Sequence, residues 1–132
     1  MHVLRVNGYD MAYVEQGEGA PLLLLHGAMC DQRYWAPQIE AFGQRHRAIA
    51  VSLRHFWPER WDGMGNDFTI GQHTEDVAAF VAALGAEPVH LVGHSRGGHV
   101  AFRVAQHFPD RVRTLVGHLP RTVPFLWASA GR

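Results

Sequence analysis

The stretch Val89-His90-Leu91-Val92-Gly93-His94-Ser95-Arg96-Gly97-Gly98 decides the reading of this chain. An apolar run, Val89 to Val92, precedes the G-x-S-x-G pattern, and an apolar-periodic segment, Val100 to Phe108, comes after it. The order predicts a strand, a sharp turn with a serine at its tip, and then a helix. Such a turn holds its central residue in a strained conformation and projects the hydroxyl of Ser95 away from the sheet. Glycine is needed on both sides, because a Cβ at Gly93 or Gly97 would crowd the neighbouring strand and helix. The residue types point to nucleophilic serine chemistry.

Working outward from the turn, the flanking pattern is that of strands alternating with helices. Residues 2–7 and Met11 to Val14 read as a hairpin about Asn7-Gly8, a strong turn signal. Leu22 to Leu25 is a continuous apolar run, as in a strand covered on both faces, and Ala48 to Val51 is another. Asp31 is an N-cap candidate for a helix through about Phe42. Thr74-Glu75-Asp76 is expected to open a second helix ending at Gly85, its acidic first turn suiting the helix dipole. A helix over Arg96 to His107 and a strand over Val112 to Val116 complete the series. Between them, residues 54–69 form a long loop rich in aromatic residues, Gly and Pro. The expected architecture is α/β: a three-layer α/β/α sandwich on a mostly parallel sheet, opened by an antiparallel hairpin.

Composition narrows the function classes. The 132 residues make one domain, 47% apolar, with 12 basic and 12 acidic residues. That balance gives no reason to expect a nucleic-acid partner or an anionic membrane surface. One cysteine, Cys30, excludes an internal disulfide. Residues 1–5 lack the layout of a secretory leader, so a cytoplasmic location is the default expectation. The ten histidines show no convergent metal spacing; His90 and His94 are four apart on a strand and turn, so no metal is expected. The glycines of 93–98 lack the Gly-Lys-Ser/Thr of a phosphate cradle.

Three separated features resemble the α/β-hydrolase family in the family's own order. They are Leu25-His26-Gly27-Ala28 with Trp35 downstream, Gly93 to Gly98, and Phe108-Pro109-Asp110-Arg111-Val112. The resemblance implies that Ser95 is the nucleophile and that the backbone N–H groups of Arg96 and Ala28 form an oxyanion hole, with Gly27, Gly93 and Gly97 as the loop and elbow glycines. It implies no cofactor and a small-molecule substrate. His26, Met29, His55 and Trp57 are candidate pocket residues, and Phe56, Trp61 and Phe68 are candidates for an apolar wall or a local cluster. Dehalogenases and epoxide hydrolases of this family normally carry an acid at the elbow, so Ser95 argues for an ester or related acyl substrate.

The chain departs from the family beyond Ser95. The triad acid and histidine lie on loops after later strands in the family, but here only Asp110, His99, His107 and His118 remain, none at a matching position. The chain therefore reads as the N-terminal portion, residues 1–116, of a C-terminally truncated domain, with 117–132 an irregular tail unlike the family. On that reading Val112 to Val116 is an exposed apolar edge through which the chain would self-associate. The alternative function is a non-catalytic small-molecule-binding or interaction protein on the same fold.

Overall fold

The structure, a computed structural model, describes residues 1–118 and 125–128. Its seven strands form one sheet in the order β1-β2-β4-β3-β5-β6-β7. β1 (His2–Val6) and β2 (Tyr9–Gln16) make the expected hairpin, turned by Asn7 and Gly8, both at positive φ. β2 pairs antiparallel with β4 (Arg47–Val51). The centre is parallel: β4 beside β3 (Pro21–Leu25), β3 beside β5 (Val89–His94), and β5 beside β6 (Val112–His118).

The leucine run of β3 feeds two cores by alternation. Leu23 and Leu25 pair with Ile49 and Val51 and face α2 (Ile70–Ala83) and α3 (Arg96–His107), through Val77, Phe80, Val81, Val100, Ala101 and Val104. Leu22 and Leu24 face the other way with Ala48 and Ala50, where Trp35, just before α1 (Ala36–Phe42), and Ile39 within it cover them. A period-two strand buried on both faces needs no polar alternation, which is why β3 and β4 read as unbroken apolar runs.

Three expectations change. Asp31 does cap, accepting from the Arg33 N–H at 2.9 Å, but it opens a 3-10 turn over Gln32–Trp35, and α1 begins only at Ala36, with proline at its start. α2 begins at Ile70, capped by the Thr69 hydroxyl, rather than at Thr74. Glu75 and Asp76 therefore lie beyond its first turn, and the dipole does not explain Asp76, which is fully buried. Finally, β6 continues to His118, and β7 (Phe125–Ala128) lies antiparallel along it. The edge of β6 expected to be bare is covered by the chain's own residues 125–128, and β7 becomes the edge strand of the sheet. The rest of the expected irregular tail, 119–124 and 129–132, lies outside the described residues. No helix among the described residues is long and apolar enough to cross a membrane.

Candidate active site

The carboxyl ends of β3, β5 and β6 meet at Ser95. Its backbone is at φ 53° and ψ −116°, a conformation that L-residues avoid. Neighbours on both sides hold it there: its N–H donates to the His118 carbonyl at 2.6 Å, and its own carbonyl accepts from His99 N–H at 3.1 Å. Serine is a favoured N-cap, yet in this conformation the Ser95 hydroxyl makes no capping bond to α3. The side chain is half-buried rather than sunk in the core.

The glycines permit this by close approach. A Cβ on Gly93 would fall on the Gly97 carbonyl and lie 2.7 Å from the Gly98 Cα. One on Gly97 would fall on the Leu25 carbonyl and lie 2.6 Å from the His26 oxygen. One on Gly27 would sit 3.1 Å from the Ser95 Cβ, so the loop after β3 packs directly on the elbow. Ala28 and Met29 come next, at the exposed crest of that loop, with Met29 at φ 61° and 99% exposed. The Arg96 amide, first in α3, has no carbonyl one turn earlier in the helix to bond.

His26 presents no surface to a pocket. It is fully buried; its Nδ1–H donates to the Gly27 carbonyl at 2.8 Å and its Nε2 accepts from Leu53 N–H at 3.0 Å. It is a strut joining the loops after β3 and β4, and both nitrogens are already used. His55 is likewise taken up inside its own loop, with Nε2 2.6 Å from Asp67 Oδ1, the Trp61 ring stacked on it, and Glu59 accepting from its backbone N–H. Trp57 lies under the Arg33 guanidinium, 3.9 Å from its ring centre. The loop residue that meets the elbow is Phe68, whose ring lies 4.3 Å from the Arg96 guanidinium carbon.

Sequence reasoning missed the polar frame behind this loop. Asp76 accepts from Arg54 Nε at 2.7 Å and from a second Arg54 nitrogen at 2.9 Å, and also from Asn7 and Gln72. Arg54 reaches Asp67 at 3.2 Å and the Asn7 carbonyl at 3.0 Å. His73, fully buried, donates from Nε2 to the Arg54 carbonyl at 3.0 Å and accepts at Nδ1 from Arg96 Nε at 3.2 Å. The signal was present in the spacing: His73, Asp76, Val77 and Phe80 share one helical face, and that face is the buried one.

Burial, the largest influence on each, lowers the pKa of His26 and of His73 to about 4 from an ordinary 6.5. Both are neutral in the native chain, whereas the unfolded chain takes up their protons below about pH 6.5. Their contribution is complete above that value and is lost as pH falls toward 4. The urea midpoint is expected to be flat from pH 8 to 7 and to drop between about pH 6.5 and 4, with proton uptake on unfolding approaching two. A midpoint independent of pH across that window would contradict neutral burial of both rings.

A family model described as alpha/beta hydrolase fold matches residues 20–130. This chain belongs to the α/β-hydrolase fold family. The match runs past residue 116, the boundary drawn from the sequence. The cis-3-alkyl-4-alkyloxetan-2-one decarboxylase of Shewanella oneidensis is 28% identical over 96% of this chain and 43% of its own length. The soluble epoxide hydrolase of a Corynebacterium species is 36% identical over 86% of this chain and 39% of its own. Among solved structures, the epoxide hydrolase VrEH1 from Vigna radiata superposes with a TM-score of 0.83 at 31% identity, covering 88% of this chain and 37% of that one. This α/β-hydrolase chain thus spans about two fifths of the length of the relatives it matches.

Proposed function

We propose that this chain carries the nucleophile half of a serine acyl hydrolase. In this reading Ser95 attacks the carbonyl carbon of an ester or related acyl substrate, and the amides of Arg96 and Ala28 receive the oxygen as it becomes negative. The observation that carries it is the strained Ser95 backbone, with a hydroxyl withheld from capping and a helix amino end immediately behind it. Donors so placed contribute roughly 3–4 kcal/mol each to lowering an acyl-transfer barrier.

Chemistry separates this reading from the epoxide hydrolases among the relatives. A serine that opened an epoxide would be left as an alkyl ether, which water does not readily cleave, whereas an acylated serine is an ester that water can hydrolyse. Ser95 therefore favours an acyl substrate despite the resemblance. Serine also needs a base to accept its proton. Of the sequence's candidates for that role, His99 and His107 lie within α3, and His118 ends β6 with its ring Nδ1 3.2 Å from that of His94. The proposal places the triad base and acid outside these 132 residues.

Fluorophosphonate labelling and then peptide mapping test this. The chain holds three serines, at 52, 95 and 129. The adduct is expected on Ser95, slowly because no base is supplied, and Ser95→Ala should abolish it. A folded chain that takes no adduct at Ser95, or takes it equally at Ser129, would favour a binding protein instead.

A further inference from the structure

We propose that the Arg96 side chain recognises a carboxylate on the substrate of Ser95. The inference rests on the serine hydrolase reading and names its substrate class: acyl compounds bearing a carboxylate near the reacting carbonyl.

Arg96 is next to the nucleophile in the chain, and its guanidinium is held rather than loose. Nε–H bonds to His73 Nδ1 at 3.2 Å, and the Phe68 ring lies across the guanidinium, 4.3 Å from its central carbon to the ring centre. His73 is itself pinned by its bond to the Arg54 carbonyl, so the seat is rigid. Its partner is a neutral imidazole, which gives the cation no counter-charge. Among the described residues, no carboxylate lies within ion-pair distance of Arg96. The Nη2 nitrogen is out of solvent contact and has no hydrogen-bond partner.

That combination is unusual, because a donor nitrogen out of solvent contact is normally hydrogen-bonded. The contrast lies within the same region of the fold: Arg54, at the start of the long loop, is matched by Asp76 and Asp67. A guanidinium fixed on one side and unsatisfied on the other is ready to accept an oxyanion, and a carboxylate matches its planar fork. Phe68 is part-exposed at the end of the long loop, so admitting the carboxylate requires this ring to move off the guanidinium.

Butyrate and butyramide, of like shape and different charge, provide the test. In the native chain, butyrate is expected to slow fluorophosphonate labelling of Ser95 at least about five-fold more than butyramide at equal concentration. The ratio should fall to about one in Arg96→Gln and to an intermediate value in Arg96→Lys, which keeps the charge without the fork. Equal protection by the two compounds, or a butyrate preference that survives in Arg96→Gln, would overturn the proposal. The same pair is compared by Tm in Ser95→Ala, where no labelling is involved. A rise with butyrate alone, lost when Arg96→Gln is added, supports the carboxylate site even if Ser95 proves unreactive; no rise with butyrate overturns the site whatever Ser95 does.

Discussion

Gly97→Ala is expected to remove a large part of the chain's stability. The added methyl has nowhere to go: it falls on the backbone carbonyl of Leu25 and within 2.6 Å of the His26 oxygen. Those atoms belong to the central strand and the loop after it, so relief requires α3 to move off β3 rather than a side chain to turn. A backbone-on-backbone overlap in the middle of the core is expected to cost more than about 4 kcal/mol, against a total stability for such domains of about 5–15 kcal/mol. Gly71→Ala is the matched control. Gly71 lies in α2 with only the Thr69 hydroxyl nearby, at 3.9 Å, and without a positive φ, so alanine there should stabilise by up to about 1 kcal/mol through helix propensity. Circular dichroism with urea titration reads both. A Gly97→Ala chain with native cooperativity and midpoint would mean that the elbow is not packed against β3 as described.

Asp76→Ala carries the second large effect. The carboxylate is fully buried and accepts from two nitrogens of the Arg54 guanidinium as well as from Asn7 and Gln72, so it joins the β1–β2 turn, the loop after β4 and α2. Its removal takes the nearer of two carboxylates from a guanidinium whose side chain is only 11% exposed, leaving it Asp67 at 3.2 Å, and such a loss is expected to cost about 3 kcal/mol. Arg5–Asp10 gives the scale for an exposed pair: both side chains are more than 60% exposed, and Asp10→Ala should cost about 1 kcal/mol or less. Arg54→Met combined with Asp76→Leu should recover much of the loss, since the penalty comes from a part-buried guanidinium left under-compensated. If Asp76→Ala and Asp10→Ala shifted the urea midpoint alike, the buried clamp would not be what holds the long loop.

The elbow was legible because its chemistry is local. Gly93, Ser95 and Gly97 each meet a need set by the sharp turn they share, and the apolar runs beside them fix strand and helix. The leucine run of β3 and its counterpart in β4 were legible for a similar reason, since a strand buried on both faces leaves no polar alternation to misread. Helix starts were less so: Thr69 and Thr74 are both acceptable caps by type, and the choice between them is made by His73 and Asp76, which must face the core to meet Arg54 and Arg96. The spacing marks the buried face of α2, but the partners that face meets are distant in sequence and leave no periodic trace. His26 and His55 looked like pocket residues for the same reason. Their partners, Leu53 for one and Asp67 for the other, are 27 and 12 residues away, and only folding shows that their polar atoms are already committed. β7 was hidden because its pairing with β6 depends on tertiary placement rather than on a pattern of its own.

The proposed chemistry stands on Ser95 attacking a carbonyl beside the amides of residues 28 and 96. A crystal structure of the phosphonylated chain tests that most directly. The predicted result is phosphorus bonded to Ser95 Oγ, with the phosphoryl oxygen about 3 Å from both amide nitrogens. Phosphorus on another residue, or a phosphoryl oxygen turned to solvent away from those two amides, would contradict it.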